Sequence, residues 1–147
     1  MKPESGYSSL RKGRFSSKNH YYHLIFSTKN RKPTFENFDN SRLFINILRE
    51  DQARRQSETL AFVVMPDHVH WLMIVKKTDL SKTIKRIKSI SSRYIAELQW
   101  SDGFYDHMIR SDENLQTVAR YIVANPVRAG LVSSVRSYSH WDAIWLY

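Results

Sequence analysis

The chain has 147 residues, 41% of them hydrophobic, which suits one domain with its own apolar core. It has no cysteine, which excludes disulfides and thiolate metal sites; a bound metal would rest on His, carboxylate, amide or water ligands. A net charge of +9 at pH 7, with a pI near 9.9, points to a polyanionic partner, and nucleic acid is the leading candidate.

Residues 1–18 read as a basic arm, in which Arg11, Lys12, Arg14 and Lys18 alternate with Gly13 and several serines. It can be a solvated tail, or a segment that contacts phosphates and orders on binding. It lacks the apolar centre of a secretion signal, and no apolar run in the chain approaches the roughly 20 residues of a membrane-spanning helix. The expectation is a soluble cytoplasmic protein with no membrane partner, formed by the arm and a single domain over residues 19–147.

Tyr21 to Thr28 is aromatic and β-branched, and predicts a first strand. Phe38 to about Arg55 predicts a helix, with Asn37, Asp39 or Asn40 as its cap and Leu43, Ile47 and Leu48 on its inner face. Thr59 to Met65 and His68 to Val75 predict two strands joined by the Pro66-Asp67 reversal, most simply a hairpin. Leu80 to Leu98 predicts a second helix capped by Asp79. Its outer face carries Lys82, Lys85 and Lys88, which suit either solvent or DNA phosphates. Phe104 to Arg110 predicts a fourth strand, and Glu113 to Ala124 a third helix capped by Ser111 or Asp112 and ended at Asn125-Pro126. The tail beyond Gly130 carries Trp141, Trp145 and Tyr147 without a readable period. The order strand, helix, strand, strand, helix, strand predicts an α+β, ferredoxin-like antiparallel sheet with helices on one face and the other face free for a site.

Two features carry chemistry. His68 and His70 are two apart on a predicted strand, so both imidazoles face one side while Val69 faces the helix layer. The pair can hold a divalent metal, or it can be a partly exposed cross-strand pair with no ligand. Tyr121 and Asn125 are four apart on the third helix, off its buried stripe. Tyr121 can be a nucleophile, and Asn125 can offer its amide oxygen as a third metal ligand. Alternatively, Tyr121 is a core-rim tyrosine and Asn125 a helix-end residue. His20, His23, His107 and His140 read as structural or surface residues. Tyr22, Trp71, Trp100 and Trp141 are candidates for stacking on bases.

The run Met65-Pro66-Asp67-His68-Val69-His70-Trp71 resembles the His-hydrophobic-His (HUH) motif of the single-tyrosine transposases. The run Tyr121 to Gly130 resembles their catalytic tyrosine helix, and looks most like the branch called REP-associated tyrosine transposases. Leu10 to Arg14 followed by Tyr21-Tyr22-His23 is also similar to that branch. The resemblance implies the same fold, His68 and His70 as ligands of Mg²⁺ or Mn²⁺, and Tyr121 as nucleophile. Asn125 stands where insertion-sequence relatives usually have the longer glutamine. The resemblance further implies cutting and joining of single-stranded DNA through a 5′-phosphotyrosine linkage, at palindromic repeats that fold as hairpins; the residues leave monomer and homodimer equally open. The competing expectation is a non-catalytic nucleic-acid binding module on a ferredoxin-like sheet.

Overall fold

The structure is a computed structural model that describes residues 20–76, 78–110 and 114–146; the basic arm and the expected caps Ser111 and Asp112 lie outside the described residues. Strand β1 (Tyr21–Ser27) leads to helix α1 (Phe38–Ala53), then to strands β2 (Ser57–Val64) and β3 (His68–Val75). Helix α2 (Leu80–Tyr94), strand β4 (Tyr105–Ile109), helix α3 (Leu115–Val123), the short helix α4 (Asn125–Arg128) and strand β5 (Trp141–Ala143) follow. The strands form one sheet in the order β4-β1-β3-β2-β5, with every pairing antiparallel. The first four positions are the arrangement expected of the ferredoxin-like order.

The helices begin where their capping residues say they should. The Asn37 side chain accepts the Asn40 N–H (3.1 Å), and Asp79 accepts the Lys82 N–H (2.8 Å). Both long helices cover the same face of the sheet. There Tyr22, Leu24 and Phe26 of β1 and Val69, Trp71, Met73 and Val75 of β3 meet Phe44, Ile45 and Leu48 of α1 and Leu80, Ile84 and Ile87 of α2. Alternate residues of each strand supply this layer, because successive side chains point to opposite faces. Arg86 of α2 holds buried Asp51 of α1 through two hydrogen bonds (2.7 and 3.0 Å), tying the two helices together.

The second face is not left wholly open. Helix α3 lies over part of it, burying Leu115, Ala119 and Ile122 against Leu60, Ala61, Val63, Leu72 and Ile109. The expected single helix layer therefore applies to α1 and α2 alone. The cause is local: β2 and the middle of β3 carry apolar residues on this side as well, and their area drives a helix onto them. Closer to the start of β3 the same face carries histidines, and α3 stops short of covering it with apolar residues.

The unassigned tail closes the sheet edge. Residues 141–143 pair with β2 (Val63↔Trp141, Ala61↔Ala143), so the exposed edge of β2 is covered by its own chain. The Tyr138 hydroxyl donates to the Val64 carbonyl (2.6 Å), and its burial pushes the phenol up to about 12. Among the described residues, no helix is long and apolar enough to cross a membrane.

Candidate active site

The turn before β3 is pinned on three sides. The Met65 N–H donates to the His68 carbonyl (2.8 Å), Pro66 accepts the Phe35 N–H (2.9 Å), and Asp67 accepts the Thr28 N–H (2.9 Å). This fixes where β3 begins, and hence which face each histidine takes. Val69 is fully buried in the helix layer, while His68 and His70 sit on the opposite face with ring centroids 5.1 Å apart. The expected alternation holds residue by residue.

Each histidine is oriented by a partner. His68 Nδ1 lies 2.8 Å from the Asp67 carboxylate, whose other oxygen takes the Arg31 guanidinium at 2.9 Å. Burial alone would raise the Asp67 carboxyl, but hydrogen bonds from Arg31 and His68, with their charges, hold it below its ordinary value. An ionised Asp67 accepts the His68 Nδ1–H and leaves Nε2 as the nitrogen available to a ligand. His70 is only 5% exposed and bonds at both nitrogens: Nδ1 to His23 Nε2 (3.0 Å) and Nε2 to Asn125 Nδ2 (2.7 Å). Burial, then the charges of His23, His68 and Arg128, lower His70 to about 3. Burial, then His107, lowers His23 to about 4. Both rings are neutral at pH 7, the form that binds metals.

Asn125 reaches His70 because the chain turns at Ala124. Helix α3 ends at Val123, as the Asn-Pro pair predicts, yet the backbone continues as the further helical turn α4. Pro126 lies in the first turn of α4, where its missing N–H is no loss. Tyr121 stays on the outer surface, 54% exposed. Arg128 folds back over it, with its guanidinium carbon 3.8 Å from the ring centroid and Nη2 donating to the Tyr121 carbonyl (2.8 Å). One helix corner thus carries an accessible phenol, a guanidinium and an amide against a histidine strand.

No three His, Cys, Asp or Glu side chains converge to hold a metal among the described residues. The groups here that could offer donors to a divalent ion are His68, His70 and the Asn125 amide, with water or phosphate oxygens beside them. Mg²⁺ and Mn²⁺ draw on such oxygens, and the two imidazoles could add nitrogen donors.

Other sequence candidates are not brought to this site. Lys82 and Lys85 are exposed on α2, which packs against the far face of the sheet. Lys88 donates to the carbonyls of Ser101 (2.9 Å) and Gly103 (2.6 Å), and burial lowers its pKa against the opposing pull of Asp102. It ties down the loop before β4. Arg11, Lys12 and Arg14 lie outside the described residues. Of the stacking candidates, Tyr22 and Trp71 are buried in the core, Trp100 packs against Phe26, Phe35 and Phe44, and the half-buried Trp141 donates to the Val135 carbonyl (3.1 Å). Strand parity puts Tyr22 and Trp71 in the helix layer. The exposed aromatics near the histidines are instead Tyr121 and Tyr105, the latter edge-on to His23. His23 is the site residue that sequence reasoning passed over. Its signal was parity: Tyr22, Leu24 and Phe26 are the apolar set of β1, so His23 faces the same side as His68 and His70.

The family described as Transposase IS200 like matches residues 16–125, a span that holds His23, His68, His70, Tyr121 and Asn125. A Haemophilus influenzae protein whose name places it among the REP-associated tyrosine transposases is 28% identical over 100 residues, covering 56% of this chain and 57% of that one. The REP-associated tyrosine transposase of Escherichia coli K12 is 30% identical over 87 residues, covering 57% of this chain and 53% of its own. The matches thus span little more than half the length of these relatives. A solved REP-associated tyrosine transposase bound to a REP hairpin superposes with a TM-score of 0.69, at 24% identity, over 87% of this chain and 79% of that one; it shares the fold. With the family match covering most of the chain and holding both the histidine strand and the tyrosine helix, the protein belongs to the IS200-like transposase family.

Proposed function

We propose that this chain is a metal-dependent nuclease and strand transferase for single-stranded DNA, with Tyr121 as its nucleophile. One observation carries the reading: Asn125, four residues after an exposed tyrosine, meets His70 at 2.7 Å across 55 residues of sequence. An amide and a phenol on one helix corner, set against paired histidines, support a phosphoryl-transfer site.

The steps balance without an external energy source. The Tyr121 oxygen attacks phosphorus in line, its proton passes to solvent, and the bond from phosphorus to the 3′ oxygen breaks. The 3′ oxygen takes a proton and leaves as a hydroxyl, while the 5′ phosphate stays on the tyrosine. One phosphoester replaces another, so a 3′-hydroxyl can later reverse the step and join strands. A divalent ion, Mg²⁺ or Mn²⁺, held by His68, His70 and Asn125 would polarise the scissile phosphate and offset its charge. Arg128, with its guanidinium carbon 3.8 Å from the centroid of the Tyr121 ring, adds a cation against the face of the nucleophile's ring. His70, Asn125 and Tyr121 are present in every copy, so the reading suits a monomer or a homodimer, with Tyr121 acting at its own copy's histidines or at its partner's.

The relatives support the substrate class. Two are named for REP-associated activity, and the structural neighbour is described as bound to a REP hairpin. Hairpin-forming palindromic repeats, single-stranded at the cut, are the proposed partner. A binding module without chemistry would use aromatics at the centre of the open face, whereas His23, His68 and His70 occupy that ground.

The test is a covalent-adduct assay with labelled hairpin DNA and Mg²⁺ or Mn²⁺ on a denaturing gel. Wild type should give a metal-dependent slow band that is lost in Tyr121→Phe and His68→Ala. An adduct that persists in Tyr121→Phe would reject the assigned nucleophile. Tight hairpin binding without any cut strand would favour the binding module.

A further inference from the structure

His70 is the middle of a three-residue relay, His23–His70–Asn125, drawn from β1, β3 and α4. Its direction follows from elementary donor chemistry. An amide nitrogen can only donate, so Asn125 Nδ2 at 2.7 Å requires His70 Nε2 to accept. A neutral imidazole carries one N–H, which must then sit on Nδ1. That proton points at His23 Nε2, 3.0 Å away, so His23 accepts there and keeps its own proton on Nδ1. His23 is held for this task. It sits opposite Leu72 in the β1–β3 register, its ring meets that of His70 edge to edge with centroids 5.2 Å apart and planes 27° from parallel, and Tyr105 stands edge-on behind it at 6.4 Å.

We propose that His23 is a positioning residue: by accepting the Nδ1–H of His70 it locks His70 in one tautomer and keeps the Nε2 lone pair aimed at the ligand site beside Asn125. A histidine that binds a metal through one nitrogen commonly has the other oriented in this way by an acceptor. The usual acceptor is a carboxylate or carbonyl, as Asp67 is for His68; here a second imidazole takes the part. The acceptor is therefore uncharged, so His70 gains orientation without added negative charge. For a divalent ion to reach Nε2, the Asn125 amide must rotate and present its oxygen, while the His23–His70 bond stays as it is.

This inference rests on the proposed metal-dependent reading, and its test separates the two. The tautomer of His70 is read by ¹⁵N NMR of the full metal-free chain near pH 7, and Mn²⁺ affinity by calorimetry. Wild type should show a single tautomer protonated on Nδ1. His23→Phe keeps a ring but removes the acceptor; it should populate the Nε2–H tautomer and weaken Mn²⁺ binding about 10- to 100-fold. His23→Gln, whose Oε1 can accept the same proton, should recover most of both. Wild-type His70 protonated on Nε2 would overturn the proposal, as would a folded His23→Phe with unchanged tautomer and Mn²⁺ affinity. If His23→Phe does not fold, the wild-type and His23→Gln spectra decide alone. If wild type binds no Mn²⁺, the metal reading fails, and the tautomer shift by itself supports or overturns the role of His23.

Discussion

Neighbouring residues of β3 live in two different environments. Toward α1 and α2, Val69, Trp71, Met73 and Val75 join a layer of large side chains in which even Trp71 is fully buried, its indole N–H satisfied by the Thr59 hydroxyl (2.8 Å). Toward α3, the same strand presents His68 and His70, and β1 adds His23. Those rings are enclosed too, but through hydrogen bonds, and Tyr121 and Arg128 beside them remain exposed. The first layer is apolar along the whole strand, while the second is apolar under α3 and bears, at the start of β3, the polar groups that burial penalises. A strand can do both because its side chains alternate, so mutations in the two layers should separate stability from chemistry.

The strongest perturbation is one that breaks the helix layer. Phe44 is fully buried, with ring centroids 5.5 to 6.1 Å from Phe35, Trp100 and Phe26. Phe44→Ala should cost about 3–5 kcal/mol in urea unfolding, yet leave adduct formation per folded molecule unchanged. Tyr121→Phe should do the reverse, abolishing the adduct with a stability change within about 0.5 kcal/mol. A large stability loss in Tyr121→Phe would mean the tyrosine belongs to the core rim after all.

Acid should attack the histidine layer first. The folded pKa values of His23 (about 4) and His70 (about 3) lie below the unfolded value of 6.5. Below pH 6.5 the unfolded chain takes up protons that the folded sites refuse, so this stability is full above pH 6.5 and is lost as pH falls toward 3 to 4. The loss is at most about 1.4 kcal/mol per pH unit for each ring. Urea midpoints measured from pH 7 to 4.5 should fall in wild type and fall less steeply in His23→Phe. Equal slopes would show that other groups govern the acid sensitivity.

The smallest effect tests how far DNA contact extends around the sheet. Lys82 and Lys85 stand on the helix layer, away from the histidines. Replacing both by Ala should leave the salt dependence of hairpin binding unchanged, whereas each lost phosphate contact would lower its slope by about 0.9. A lower slope would place the hairpin stem across both layers.

Much of this was readable from residues alone. The apolar alternation of β1 and β3, the caps Asn37 and Asp79, and the order of elements set the α+β frame, because period and capping are local properties. The spacings His68–His70 and Tyr121–Asn125 pointed each pair to one side, again by local geometry. Other features depended on contacts between distant segments. The tail had no period because β5 is only three residues long and owes its strand form to the edge of β2. Lys88 looked like a free cation until the loop at Ser101 and Gly103 closed over it. Periodicity and residue type already say which residues share a face and which chemistry they offer. That α3 crosses to the second face, that Asn125 meets His70, and that His23 stands behind it emerge from the assembled fold. Alternation and capping act over a few residues of chain, whereas those contacts arise from apolar area and hydrogen-bond partners that come together only when the sheet has assembled.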